Sequence, residues 1–258
     1  MKRILLGWLV VIAAAAQTTD PKASALVAET LAALGGDAFL NMVDRVEYGR
    51  AYSFYQERLS GLAKARISVR YLKEGSPALE ERQAFGNNED SGFIFSGGKG
   101  WSFSFRGARP VREEILARWT DSTLRNVFYI FRMRMKEPGM TFEYRGRDVF
   151  ENQPVEILDI IDAENRVVTA YIHMSTRLPV RQVYIRRDPK TKERLEEVTL
   201  FSKYRDVGGG VQWPYTLERY RNGEKIFEMY AESVTINQNL SPDLFRVEGK
   251  FKILPPAK

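Results

Sequence analysis

The chain has 258 residues, of which 44% are hydrophobic and 12% aromatic, a composition that supplies a substantial core and excludes a disordered chain. It contains no cysteine, which excludes a disulfide framework, a cysteine nucleophile and a lipid-modified cysteine behind a leader. The net charge is +6, or +4 (37 basic against 33 acidic residues) once Lys2 and Arg3 are set aside, too mild and too scattered to point to nucleic acid.

The first segment, "MKRILLGWLVVIAAAAQ", has a basic start, an apolar run from Ile4 to Ala16 and small residues at its end. That is the layout of a secretory signal over residues 1 to 16, cleaved near Ala16, and the apolar run is short of the roughly 20 residues a spanning helix needs. Residues 17 to 258 are then expected as a single exported domain. Asp20-Pro21 predicts a capped helix start, with Ala25, Leu26, Ala28, Leu31 and Leu34 following and Gly35-Gly36 as the stop. Phe39, Leu40 and Val43 suggest a second short helix.

From about Val46 the period changes to that of strands. "VEYGRAYSFY", "ARISVRYL" and "LEERQAF" read as three strands, and "GFIFSGGKGWSFSF" as a hairpin. In the hairpin Phe93 and Phe95 share one face of the first strand, and Trp101, Phe103 and Phe105 one face of the second. Residues 111 to 136 interrupt this pattern with two amphipathic helices. The second is expected to be capped by Asp121 or Ser122 and to carry Leu124, Val127, Phe128, Phe131 and Met135 on one face; a strand with Val127, Tyr129, Phe131, Met133 and Met135 alternating is the alternative. Seven further strands follow, "TFEYRGRDV", "QPVEILDIID", "RVVTAYIHM", "LPVRQVYIRR", "RLEEVTLFSKYRDV", "WPYTLERYR" and "EKIFEMYAESVTI", joined by connections short enough to require antiparallel neighbours. "KILPPAK" reads as an exposed tail.

Catalytic signals are sparse. His173 is the one histidine, at a strand end and with no glycine-flanked serine elbow elsewhere, so neither a Ser-His-Asp triad nor a zinc site is supported. The acidic pairs Glu80-Glu81 and Glu196-Glu197 are adjacent on strands and therefore point to opposite faces, while Asp159 and Asp162 lie near a strand end. No phosphate loop, Ca²⁺ loop or dinucleotide fingerprint is present, and no cofactor or metal is expected. The reading is non-enzymatic, with a carboxylate hydrolase as the distant competitor.

The aromatic load is the distinctive feature. A wide antiparallel sheet with few helices needs something to fill its concave apolar face. Phe93, Phe95, Trp101, Phe103, Phe105, Phe128, Phe131, Trp213, Tyr215, Phe227 and Met229 are the candidates for lining a hydrophobic cavity there. "YIHMSTRLPVRQVYI", "TLFSKYRDVGGGVQWPYTLERYRNGE" and "NLSPDLFRV", together with the leader and the helix ending in "ALGG", resemble the periplasmic outer-membrane lipoprotein carrier family, the LolA/LolB-like lipoprotein-sorting proteins. The resemblance covers most of residues 17 to 258 and is strongest from 141 to 247. It implies a mainly β fold with helices: a strongly curved antiparallel sheet forming an incomplete β-barrel around the helices. It implies a monomeric carrier that takes lipid or lipoprotein acyl chains between membranes, with an inner-membrane ABC transporter and an outer-membrane acceptor as partners. An envelope sensor on the same fold is the alternative. The insertion at 111 to 136 is the expected lid.

Overall fold

The computed structural model describes residues 20–188 and 191–256; the leader expected at 1 to 16 lies outside them. After α1 (Pro21–Leu34) and α2 (Asp37–Leu40), six strands run as a meander: β1 (Asp44–Tyr55), β2 (Arg58–Tyr71), β3 (Leu79–Phe85), β4 (Ser91–Ser96), β5 (Lys99–Ser104) and β6 (Gly107–Pro110). The helical insertion follows as α3 (Glu113–Leu124) and α4 (Val127–Tyr129), the latter running on as a π turn over Ile130–Arg134. A second meander completes the chain: β7 (Thr141–Phe150), β8 (Gln153–Ile161), β9 (Val167–His173), β10 (Pro179–Arg187), β11 (Arg194–Asp206), β12 (Gln212–Arg221) and β13 (Glu224–Ile236). Among the described residues all 13 strands form one sheet, in the order β6-β5-β4-β3-β2-β1-β13-β12-β11-β10-β9-β8-β7.

This order explains the position of the helices. The two meanders join in the middle, where β1 pairs with β13, so β6 and β7 are left as opposite edges of an open sheet. The segment between them must cross from one edge to the other. Trp119 of α3 stacks on Phe95 of β4 with ring centroids 4.4 Å apart, and Arg125 Nη1, just past the same helix, donates to the Ile185 carbonyl of β10 at 2.9 Å. β4 and β10 are seven places apart in the sheet, about 34 Å if it were flat, whereas a helix of this length spans only about 18 Å. One helix reaches both only because the sheet curls around it. Register shifts at Tyr48/Gly49, Ser53/Phe54, Tyr144/Gly146 and Pro179/Arg181 are where the strands bend.

Local sequence accounts for the helix ends. Asp20 Oδ1 accepts from the Lys22 amide at 3.0 Å, and α1 stops at Gly35 with φ of 118°. A side chain at Gly35 would place its Cβ 2.8 Å from Val211 Cα, so the helix end packs directly on the β11–β12 turn. The buried face of α1 is Ala23, Leu26, Val27, Thr30 and Leu34; Ala25 and Ala28 face outward. In the insertion the helix break falls later than expected. α3 runs through Asp121 and Ser122, and Asn126 is the cap, its Oδ1 accepting from the Phe128 and Tyr129 amides at 3.0 and 3.1 Å. Asp121 is instead held by Arg125 at 2.9 Å, four residues on, which leaves it no role as a cap.

The main core lies between α1, α2, α4 with its π turn, and the β7–β13 arm. It includes Leu26, Leu34, Phe39, Val127, Phe131, Leu158, Ile172 and Phe201. The other face of β3–β6 is covered by the C-terminal segment, with Phe245 and Val247 packed on Ala84, Ile94, Phe103 and Ala108. The tail is therefore not free: Ala108 N donates to the Lys252 carbonyl at 2.8 Å and Leu254 N to the Ala108 carbonyl at 2.7 Å, which shields the edge strand β6.

Candidate functional site

A cavity of about 490 Å³ lies between α3 and the concave face of the sheet, within the roughly 300–1,000 Å³ typical of small-molecule sites. Register determines its walls. On one arm the pairings Phe95–Glu81–Val69–Arg45 and Phe93–Gln83–Ile67–Glu47 run across β4, β3, β2 and β1, and paired residues share a face. On the other, Tyr184–Glu197–Arg221 and Thr199–Arg219–Phe227 cross β10 to β13, with Leu217 opposite Met229. Trp119 and Ile115 of α3 form the roof, and Phe128 and Tyr129 close one end.

Of the expected cavity residues, the structure brings Phe93, Phe95, Phe128, Trp213, Phe227 and Met229 to this space. Phe131 and Tyr215 are in the main core. Trp101, Phe103 and Phe105 are on the other side of the sheet. Gly97 and Gly98 form a two-residue turn that pairs Ser96 with Lys99, hence Phe93 with Ser102 and Ile94 with Trp101. A turn of even length puts the two aromatic sets of this hairpin on opposite faces. Trp101 and Phe103 accordingly pack with Ile94, Phe245 and Phe251, and Phe105 is 80% exposed at the following turn.

Nor is the cavity dry hydrocarbon throughout. Arg45 Nε meets Glu47 Oε1 at 2.7 Å, Arg45 Nη1 donates to the Tyr71 hydroxyl at 2.8 Å, and the guanidinium lies 4.1 Å from the Trp213 ring. Burial works against the Arg45 charge, but Tyr71, Glu47 and Glu81 outweigh it and raise its pKa. Trp119 Nε1 donates to Glu81 Oε2 at 3.0 Å. Near β10, Glu197 receives Arg186 at 2.7 Å and Arg221 at 2.9 Å. Burial, with Glu197 adding to it, pushes the Tyr184 hydroxyl up to about 12, so it stays a neutral donor. These polar groups escaped the reading of the sequence because their convergence depends on strand register. The signal was present in "WPYTLERYR": its one-face residues pass from Trp213, Tyr215 and Leu217 to Arg219 and Arg221.

Of the acids first considered for catalysis, Asp159, Asp162, Glu80, Glu81 and Glu197 are engaged through their carboxylates. Asp159 accepts from Thr169 Oγ1 at 2.6 Å and pairs with Arg145 at 3.3 Å, and Glu80 pairs with Arg70. His173 Nδ1 accepts from the Thr176 amide at 3.1 Å and so caps a turn. Among the described residues no group of three or more His, Cys, Asp or Glu side chains is placed to hold a metal, and no helix is long and apolar enough to cross a membrane.

No protein-family model and no curated protein matches the chain. Solved structures do. A domain classed with outer-membrane lipoprotein-sorting proteins from Vibrio parahaemolyticus superposes with a TM-score of 0.58 at 12% identity, over 87% of this chain and 96% of that one. A DUF1329 family protein from Desulfovibrio piger gives 0.60 at 11% identity, over 88% and 98%. A LolA superfamily protein from Nitrosomonas europaea gives 0.50 at 10% identity, over 87% and 97%. The chain has the LolA-like fold: an open, curled antiparallel sheet around helices.

Proposed function

We propose that the protein is a periplasmic carrier that takes the acyl chain of a lipid or lipoprotein into the cavity beneath α3 and moves it between membranes. The observation that carries this reading is the cavity itself, a volume of about 490 Å³ left open where a curled sheet encloses too few helices to fill it. Each CH₂ buried there contributes about 0.8 kcal/mol, and Phe128, Trp213 and Met229 offer the apolar contact.

A carrier also needs a way in, and the insertion divides into parts suited to different tasks. Its second half is a fixed plug: Val127, Phe128, Tyr129, Ile130 and Phe131 are buried, Val127 N donates to Gln182 Oε1 at 2.8 Å, and the Tyr129 hydroxyl accepts from Ala78 N at 2.7 Å. By contrast α3 has no fully buried residue. Segments with few buried contacts open at low free-energy cost, so the lid in this reading is α3 alone, narrower than residues 111 to 136.

The chain has no cysteine, so a bridge can be introduced cleanly. With Phe95→Cys and Trp119→Cys joined by a short bismaleimide, transfer of a fluorescent phospholipid between two vesicle populations is expected to fall at least about tenfold relative to the same protein left unlinked. Equal rates in the two forms would contradict the lid, and no transfer by the wild-type protein would contradict the carrier.

A further inference from the structure

The charged groups of the cavity are of two kinds. Around Arg45 they are matched, since Glu47, Tyr71, Glu81 and the Trp213 ring surround one guanidinium. Near the ends of β10 and β12 they are not. Arg118 of α3, Arg186, Arg219 and Arg221 all line the cavity there, and among the described lining residues Glu197 is the one carboxylate beside them. Glu197 is already engaged by Arg186 and Arg221. Arg118 and Arg219 make no ion pair among the described residues; Arg219 lies 5.6 Å from the Phe227 ring. Asp121, the next acid along α3, is taken by Arg125.

The position of this cluster matters as much as its charge. Along the concave face of β12 the residues run Trp213, Leu217, Arg219, Arg221; along β10 they run Gln182, Tyr184, Arg186; along β11 they run Phe201, Thr199, Glu197. Trp213 and Phe128 are buried, whereas Arg118 and Arg219 are exposed. The cavity is thus polarised along the strand direction, with a closed end where Phe128 and Trp213 are buried and the one guanidinium, Arg45, is matched by Glu47, and a cationic, water-accessible end.

Resting on the carrier reading, we infer that the ligand is an anionic amphiphile whose headgroup phosphate is held by Arg118, Arg219, Arg186 and Arg221 while its acyl chain lies toward Trp213 and Phe128. Guanidinium groups present paired N–H donors that match phosphate oxygens. One anion between these side chains relieves the repulsion that the empty cluster carries. At Arg118 desolvation lowers the pKa first, and the charges of Arg221, Arg186 and Arg219 lower it further, with Glu197 opposing. The roof helix contributes one of the four arginines, so headgroup binding also favours the closed position of α3.

Residues 17 to 258 are titrated at low salt with lysophosphatidylglycerol and lysophosphatidylcholine of the same chain, both below their micelle concentrations, and with glycerol 3-phosphate. The anionic lysolipid is expected to bind about tenfold tighter than the zwitterionic one. In Arg118→Gln/Arg219→Gln that preference should fall to within about twofold, mainly through a loss of lysophosphatidylglycerol affinity, because the choline ammonium already offsets the phosphate charge of the zwitterionic lipid. Both substituted residues are exposed and, among the described residues, make no ion pair, so the melting temperature should stay within about 2 °C of wild type. Equal affinities for the two lysolipids in the wild-type protein, or a preference that survives the double substitution, would overturn the headgroup site while leaving the carrier intact. Glycerol 3-phosphate binding as tightly as the lysolipid would show a site for a free anion and overturn the amphiphile. Binding of none of the three would overturn the carrier reading with it.

Discussion

Asp162→Ala is expected to lower stability by about 3–5 kcal/mol, measured by urea denaturation at pH 7. Asp162 lies in the turn between β8 and β9 with its side chain 6% exposed. Oδ1 accepts from the Glu164 and Arg166 amides at 3.1 and 3.0 Å, and Oδ2 from Arg166 Nε at 2.7 Å and from Arg134 Nη2 at 3.4 Å. Arg134, equally buried, also reaches Glu137 at 2.8 Å and the Leu124 carbonyl at 2.6 Å. Truncation therefore opens the turn and removes one of the two carboxylates that hold a buried guanidinium, which is the case in which a buried pair is costly to break. Asp162→Asn keeps acceptors for the turn amides and should fall between the two.

The pH dependence follows in sign. Burial acts to raise the Asp162 pKa, but the hydrogen bonds from Arg166 and the charges of Arg166 and Arg134 prevail and hold it below 3.8. A carboxyl whose pKa is lower folded than unfolded contributes fully above its unfolded value and loses that contribution as the pH falls through the folded one. The gap between wild type and Asp162→Ala should be constant above about pH 5 and close below pH 3.8. A gap under 1 kcal/mol at pH 7 would show that the turn tolerates the loss.

Gly49→Ala is expected to cost about 3 kcal/mol, at the upper end of what overpacking does. Gly49 sits at the seam of the two meanders, at the register shift between β1 and β13. A Cβ there would lie 2.0 Å from the Tyr230 carbonyl oxygen and 2.8 Å from Ala231 Cα. Both are backbone atoms of the paired strand, so no side chain can swing aside and the seam must widen. Gly61→Ala in β2 is the control: its Cβ would approach nothing nearer than Ser53 Oγ at 3.6 Å, and a change within about 0.5 kcal/mol is expected. Equal effects of the two substitutions would remove the seam argument.

How much of this could be read from the residues follows from what each feature depends on. Twelve of the 13 strands were legible because alternation and turn residues are local properties. β6, "GARP", was missed: four residues ending in proline carry no alternation, and the strand exists because Ser104–Gly107 closes a turn and residues 252 to 254 cover its edge. The second helix of the insertion differs from its expectation: Leu124 still belongs to α3, Val127 to Phe131 are buried all round and not along one face, and the cap is Asn126, because Asp121 is paired with Arg125 and the Ser122 hydroxyl donates back to the Trp119 carbonyl. The candidate site was half legible. Aromatic content pointed to the sheet, but which aromatics share a face depends on the parity of the Gly97-Gly98 turn, and the arginine cluster depends on pairing between β10, β11 and β12.

The central claim is that an acyl chain occupies the space under α3. Trp119 and Trp213 line that space, and Trp101 lies on the opposite face of the sheet. In residues 17 to 258, which leave out Trp8, titration with a lysophospholipid brominated on its acyl chain should quench the emission of Trp101→Phe, which keeps both cavity tryptophans, and leave Trp119→Phe/Trp213→Phe, which keeps only Trp101, unquenched. Quenching confined to Trp101, or none in either variant, would contradict the account.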